Sequence, residues 1–351
     1  MKTIPSDSKS RPQQNTKSRF SRLLWSGALA VAVTCAVLYA VPFFFTLSVQ
    51  YEQSHSSASA PFPVTVYPKD KLIVEDPQVN AFLENPNSPL AAAVGDTGNA
   101  LWSAFRWLAL TIAGTAAYQD LAAADGRFVT IAPGMRKEQA AEMFGKALSW
   151  NAAQKKKFLT ATATSSLPLV EGSFAPGTYL VTVGMAPQAV QALVNERFTQ
   201  DVLNHYATST AAVVPLSEAL TIASLIERET IGTTDMRLVS GIIWNRLFAN
   251  MNLQIDSTLQ YAKANTAAAT SWWPTVVPAD MYRRSPYNTY LHSGLPPTPI
   301  ANPSVAAVLA ALNPLQTSCL YYFNDQAGNI HCSDTYAEHV ALLKKYYGQG
   351  K

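Results

Sequence analysis

One carboxylate stands where a helical pattern calls for an apolar residue. In PLSEALTIASLIERET (Pro215–Thr230), Leu220, Ala223 and Ser224 precede Glu227 by seven, four and three residues. A helix therefore places all four on one face. At 3.6 residues per turn, Arg228 and Glu229 are rotated off that face by roughly 100° and 200°. A glutamate against a largely apolar wall has its charged form disfavoured, so its pKa rises towards neutrality. A proton donor needs that condition at working pH. From this helix alone, the plainer reading is a surface glutamate at a charged helix end.

What lies downstream reverses that preference. Taken in order, ASLIERET (Ala223–Thr230), WNRL (Trp244–Leu247), MNLQIDST (Met251–Thr258), SPYNTY (Ser285–Tyr290), GLPPTPIANP (Gly294–Pro303), ALNP (Ala311–Pro314) and HCSDTYAEH (His331–His339) resemble the YceG-like family. A weaker patch, EGSFAPGTY (Glu171–Tyr179), lies upstream. Members of that family are endolytic murein transglycosylases of bacterial inner membranes. The resemblance implies that Glu227 is the acid/base of a lytic transglycosylase, and the apolar face is an independent reason to agree. Ordinary glycosidases use two carboxylates. A lytic transglycosylase needs one, because a primary hydroxyl on the same sugar replaces the attacking water, and proximity replaces the second acid.

Other polar residues arrange themselves around this assignment. Glu229 points away from Glu227 and is expected to form a salt bridge or to support the site from behind. Gln254 and Asp256 alternate, so an extended segment turns both to one side. They suit sugar hydroxyls or an acetamido group; Asp256 could steady positive charge at the anomeric carbon, or simply cap a turn. Ser285, Tyr287 and Asn288 offer substrate contacts beside rigid prolines, with Asn288 either orienting Glu227 or the acetamido group, or bracing its loop. Asn245 reads as a brace for a buried loop, and Glu171 joins Glu229 and Asn245 as a supporting residue. His331, His339 and Glu338 lack the spacing of a metal site. Neither metal nor cofactor is expected.

The positioning elements follow. Arg127–Ala132 is strand-like, Arg136–Leu148 and Ala152–Thr162 are helical, Tyr179–Thr182 is a strand, and Pro187–Leu203 is helical. Ser217 is the expected N-cap of the Glu227 helix, and Asp235–Asn250 forms a helix against it. Tyr287–Pro303 is loop, Ser304–Leu312 a short alanine-rich helix, and Leu320–His331 a hairpin. Mixed helices and hairpins argue for an α+β fold. The strand, Pro-Gly turn and helix pair resemble the small LysM-like module of this family, which either binds glycan or packs as a structural subdomain. The Cys319 and Cys332 positions usually carry aromatic residues in the family. Two cysteines facing across one hairpin, in an oxidising compartment, suggest a disulfide, the alternative being two small buried thiols.

The chain has 351 residues and a formal charge of only +3, which gives no footprint for nucleic-acid binding. Its basic residues are uneven: Lys2, Lys9, Arg11, Lys17, Arg19 and Arg22 face a lone Asp7 before an uncharged run, Leu23–Val49. That run of about 27 residues is roughly 40 Å long as a helix, enough to span a bilayer. The positive-inside rule then puts residues 1–22 in the cytoplasm, 23–49 across the inner membrane, and the remainder in the periplasm. Beyond it come a juxtamembrane region (50–125) of unknown role, the LysM-like subdomain (126–165) and the catalytic domain (166–351). Leu101–Tyr118 is apolar but carries Arg106, and is expected to lie at the membrane interface or to pack on the protein. The expected partners are glycan strands of peptidoglycan, the inner membrane and peptidoglycan synthases. Two competing readings are a membrane-tethered glycan-binding scaffold without activity and a hydrolytic muramidase.

Overall fold

The computed structural model describes residues 60–84, 126–160, 170–233, 235–266 and 271–348, with Val49 and Thr111 as isolated positions. The basic arm, the Leu23–Val49 span apart from Val49, and Leu101–Tyr118 apart from Thr111 lie outside the described residues. Within them, no helix is long and apolar enough to cross a membrane. The fold is α+β.

Chain order begins with a short hairpin, β1 (Val66–Tyr67) and β2 (Leu72–Ile73), then α1 (Pro77–Glu84). Next come β3 (Gly126–Ile131), α2 (Lys137–Leu148), α3 (Ala152–Leu159), β4 (Gly177–Thr182) and α4 (Pro187–Asp201). β3 and β4 pair antiparallel, with Val129 opposite Tyr179, so the two intervening helices close a β-α-α-β unit. Its interior holds Phe144, Phe158, Phe174 and Tyr179, whose rings meet largely edge to face. Phe174, Tyr179, Val190 and Val194 all fall in this core. Strand pairing draws them in: β3 satisfies its backbone only when β4 pairs with it.

The larger core is built on α5 (Thr208–Val213), α6 (Leu216–Glu229), α7 (Met236–Phe248), α8 (Asp256–Ala264) and α9 (Val305–Leu312). Ile222, Leu225 and Ile226 of α6 are fully buried, as are Val308 and Leu312 of α9. Trp244 of α7 donates its indole N–H to Ala311 O at 2.9 Å, which ties α7 to the end of α9. Gly241 lets α7 approach the loop beyond α9, where an added Cβ would lie 2.3 Å from Leu315 O. The α6 helix starts earlier than its serine suggested. Pro215, at φ −58°, is the cap and makes no side-chain cap bond. Ser217 lies inside the helix, its carbonyl accepting the Thr221 hydroxyl at 2.7 Å.

The chain ends with β5 (Tyr321–Asn324), β6 (Ile330–Ser333) and α10 (Tyr336–Tyr347). Cys319 and Cys332 form a disulfide with Cα atoms 5.7 Å apart. They are not direct partners in the ladder, where Tyr322 opposes Cys332. The bond instead runs from the chain entering β5 to the middle of β6.

Candidate active site

α6 carries its two final carboxylates in opposite directions, as the helical angle requires. Glu227 is half-buried beside the start of α9. Its Oε2 accepts two hydrogen bonds from Ser304, one from the hydroxyl at 2.6 Å and one from the backbone N–H at 2.9 Å. The Ser304 oxygen accepts in turn from Ala307 N–H at 3.2 Å and so caps α9. Oε1 has no hydrogen-bond partner among the described residues. Burial pushes the Glu227 carboxyl above its ordinary range, while the two Ser304 donors and neighbouring Arg228 pull it back. The result is a carboxyl held by one oxygen and open at the other.

Three chain segments converge to hold Ser304 in place. Ser224, one turn before Glu227, accepts the Ile300 N–H at 3.0 Å. Asn302 is fully buried; its Oδ1 takes the amides of Gly172 and Phe174, both at 2.9 Å. Its Nδ2 donates to Met135 O at 2.9 Å and to Glu171 Oε1 at 3.1 Å. Asn302 O accepts from Gly134 N–H at 2.8 Å. The Gly134 turn of the β-α-α-β unit also touches the Glu227 helix: an added Cβ would sit 3.3 Å from Arg228 and 3.7 Å from the Glu227 side chain. Gly172 adopts φ +95°, and a side chain there would collide with Pro299 at 2.7 Å.

Glu171 belongs to this junction and not to the substrate side. Its Oε1 also accepts the Lys137 N–H at 2.9 Å, at the start of α2. It is buried, and burial together with Glu138 raises its carboxyl to about 8. Arg136 lies nearby, its guanidinium 4.1 Å over the Tyr261 ring.

Glu229 is held on both oxygens. Ser257 donates to Oε1 at 2.8 Å and Tyr322 to Oε2 at 2.9 Å, which links α6 to α8 and β5. Burial raises this carboxyl as well, opposed by those two donors. The salt bridge expected for Glu229 is replaced by two neutral hydroxyl donors, because the nearest arginine on its helix, Arg228, stacks 3.9 Å over Trp273.

Gln254 and Asp256 are both exposed while Leu253 and Ile255 are buried, so they do share a side. The segment is not a plain extended strand, however. Gln254 has φ 53°, and Asp256 opens α8 without capping it. Asp256 Oδ1 accepts the Tyr290 hydroxyl at 2.7 Å.

Asn288 is fully buried and braces its own loop. It donates to Met281 O at 3.0 Å and Arg283 O at 2.8 Å and accepts from Tyr290 N–H at 2.9 Å, so it reaches neither Glu227 nor open solvent. A buried amide in a turn-rich loop spends its donors on backbone carbonyls. Tyr287 pairs its hydroxyl with Thr298 at 2.8 Å and packs its ring on Tyr261. Ser285 borders an open depression with Arg284, Pro286, Leu291 and His292. Asn245 donates to Thr317 O and Cys319 O at 2.7 and 3.1 Å and braces the strand leading to the hairpin. His331 meets Asp325 at 2.9 Å. Among the described residues, no group of three or more His, Cys, Asp or Glu could hold a metal ion.

The sequence reading missed Ser304 and Asn302 as parts of the site. Both were visible, one as a helix start and the other inside GLPPTPIANP, but nothing local ties either to Glu227 about 75 residues earlier.

The YceG-like family model matches residues 108–345. A stretch of 133 residues is 37% identical to the endolytic murein transglycosylase of Bacillus subtilis (strain 168), covering 38% of this chain and 35% of that protein. A stretch of 174 residues is 29% identical to the endolytic murein transglycosylase of Streptococcus pneumoniae serotype 2 (strain D39 / NCTC 7466), covering 48% of this chain and 31% of that one. The chain thus spans about a third of the length of these curated relatives. A crystal structure of a yceG-like protein from Listeria monocytogenes superposes with a TM-score of 0.51 at 26% identity, covering 61% of this chain and 75% of that chain.

Proposed function

The chain belongs to the YceG-like family, and from that premise we propose that it is an endolytic lytic transglycosylase of peptidoglycan, with Glu227 as its only acid/base. Glu227 gives its proton to the glycosidic oxygen between a muramoyl residue and the next N-acetylglucosamine. The bond from that oxygen to the muramoyl anomeric carbon breaks, and the departing strand leaves with a free hydroxyl. The primary hydroxyl of the same muramoyl sugar then attacks the anomeric carbon and returns its proton to Glu227. The product is an anhydro-muramoyl end, no water is consumed, and the carboxyl is ready for another turn.

The observation that carries this reading is the asymmetric hold on Glu227: burial shifts its carboxyl towards the protonated form, and among the described residues only one oxygen is tied down. Gln254 and Asp256, exposed side by side, are proposed to meet sugar substituents, with Asp256 held by Tyr290. The proposed setting is a single-pass anchor at residues 23–49, with the catalytic part on the outer side of the inner membrane near peptidoglycan synthases. Cutting new strands there would limit their length.

Replacing Glu227 by Gln tests the reading. Digestion of purified sacculi, followed by mass analysis, is expected to yield anhydro-muramoyl ends with the native chain and to lose at least about a thousandfold in rate with the variant. Reducing ends in place of anhydro ends would assign a muramidase. Binding of glycan with no cleavage by the native chain would assign a scaffold.

A further inference from the structure

The hold on Glu227 assigns work to a residue outside the proposed acid/base itself. We propose that Ser304 is a positioning residue: its hydroxyl and amide fix Glu227 Oε2 as a permanent acceptor, so that Oε1 alone carries the transferable proton. This inference rests on Glu227 being the acid.

The argument is one of valence. Ser304 has a single hydroxyl hydrogen, and the 2.6 Å contact assigns it to Glu227 Oε2. The same hydroxyl oxygen is already accepting from Ala307 N–H. The Ser304 amide donates to Oε2 as well. An oxygen accepting two hydrogen bonds is the carbonyl oxygen of a protonated carboxyl, so the acidic O–H belongs on Oε1. Both proton transfers then use one atom. Oε1–H protonates the glycosidic oxygen as the bond to the anomeric carbon breaks. Oε1 next accepts the proton of the primary hydroxyl as the new carbon–oxygen bond closes the anhydro ring. The substrate must bring the two oxygens to the same place in succession, and the carboxyl need not rotate between steps.

The charges around Glu227 are few. Arg228 on the same helix acts on it. Glu229 faces the opposite way, towards Ser257 and Tyr322. Among the described residues, the Gly134 turn, the segment Ile300–Ser304 and the first turn of α9 bring no ionisable side chain against it. Glu171, raised to about 8, titrates on the same network but reaches Ser304 only through Asn302, so the assigned Glu227 signal is followed separately from it.

Two variants in the full-length chain test this, Ser304→Ala and Ser304→Thr. Glu227 is followed in two ways: by carbon NMR of the glutamate carboxyl signals, assigned with Glu227→Gln, and by the pH profile of glycan cleavage. Loss of a donor to the carboxylate raises its pKa. Ser304→Ala should therefore move the Glu227 titration and the basic limb of kcat to higher pH, and lower kcat about tenfold at the optimum. Ser304→Thr keeps the hydroxyl and should restore both. If Ser304 served only as a helix cap, activity and stability would fall together while the titration stayed in place, and that result overturns the proposal. So would an alanine shift that threonine fails to reverse. Because the NMR titration needs no turnover, it judges Ser304 even if Glu227→Gln proves active, an outcome that sinks the proposed function instead.

Discussion

The two ends of the same helical turn make a controlled comparison. Glu227 and Glu229 are two residues apart on α6, both are acids, and burial raises both. Yet the Glu229 side is closed, with a hydroxyl on each oxygen, and ties α6 to α8 and the β5–β6 hairpin. The Glu227 side is half open, with both donors on one oxygen and the other left for a ligand. A raised pKa therefore does not identify a proton donor by itself. On the proposed reading, what separates a brace from an acid is whether an oxygen is left over once the protein's own donors are satisfied.

The strongest way to break this comparison is to make the same change at both positions. Glu227→Gln should lose at least about a thousandfold in cleavage, whereas Glu229→Gln should stay within about tenfold, since its hydroxyl partners can turn to suit an amide. Steady-state rates on sacculi measure both. Comparable losses at the two sites would erase the distinction.

A second test removes a staple from the Glu229 side. The Cys319–Cys332 bond closes a loop with a sequence separation of 13, next to the strand that carries Tyr322. Replacing both cysteines by serine should cost about 3 kcal/mol of stability, read by urea unfolding under non-reducing conditions. Cleavage at 25 °C should survive in the folded fraction, because the Glu227–Ser304 contact does not pass through the hairpin.

The smallest expected effect sharpens the picture behind Glu227. Glu171, joined to Asn302, has its folded-state carboxyl at about 8 against an ordinary value of 4.5. A folded pKa above the unfolded one means stability is fully present below about 4.5 and is lost as pH rises through about 8. Glu171→Gln is neutral at every pH and should remove that decline. The variant should therefore exceed the native chain by more than about 1 kcal/mol at pH 9 and match it near about pH 4. Thermal unfolding across that range decides it; parallel curves would show that Glu171 does not titrate in this window.

Much of this was legible along the chain, for reasons that are local. The helix bearing Glu227, the short helix running into ALNP and the hairpin that follows it come from periodicity and turn chemistry, which act over a few residues. Distant chain decided the rest. Ser217 lost the cap to Pro215. Asn288, open from the sequence to a substrate contact or to bracing its loop, spends its amide on the carbonyls of Met281 and Arg283. β3 finds its partner in β4, some 45 residues later.

Residue order alone determined that Glu227 and Glu229 face different ways, because a helix fixes the angle between them whatever surrounds it. It could not determine which oxygen of Glu227 is left without a donor. That was decided when the loop ending at Ser304 was folded back onto α6 and locked there through Asn302 to the Gly134 and Glu171 turns. Hydrogen bonds between segments separated by more than a hundred residues leave no periodic trace in a sequence; they exist only once packing brings the partners within 3 Å or so.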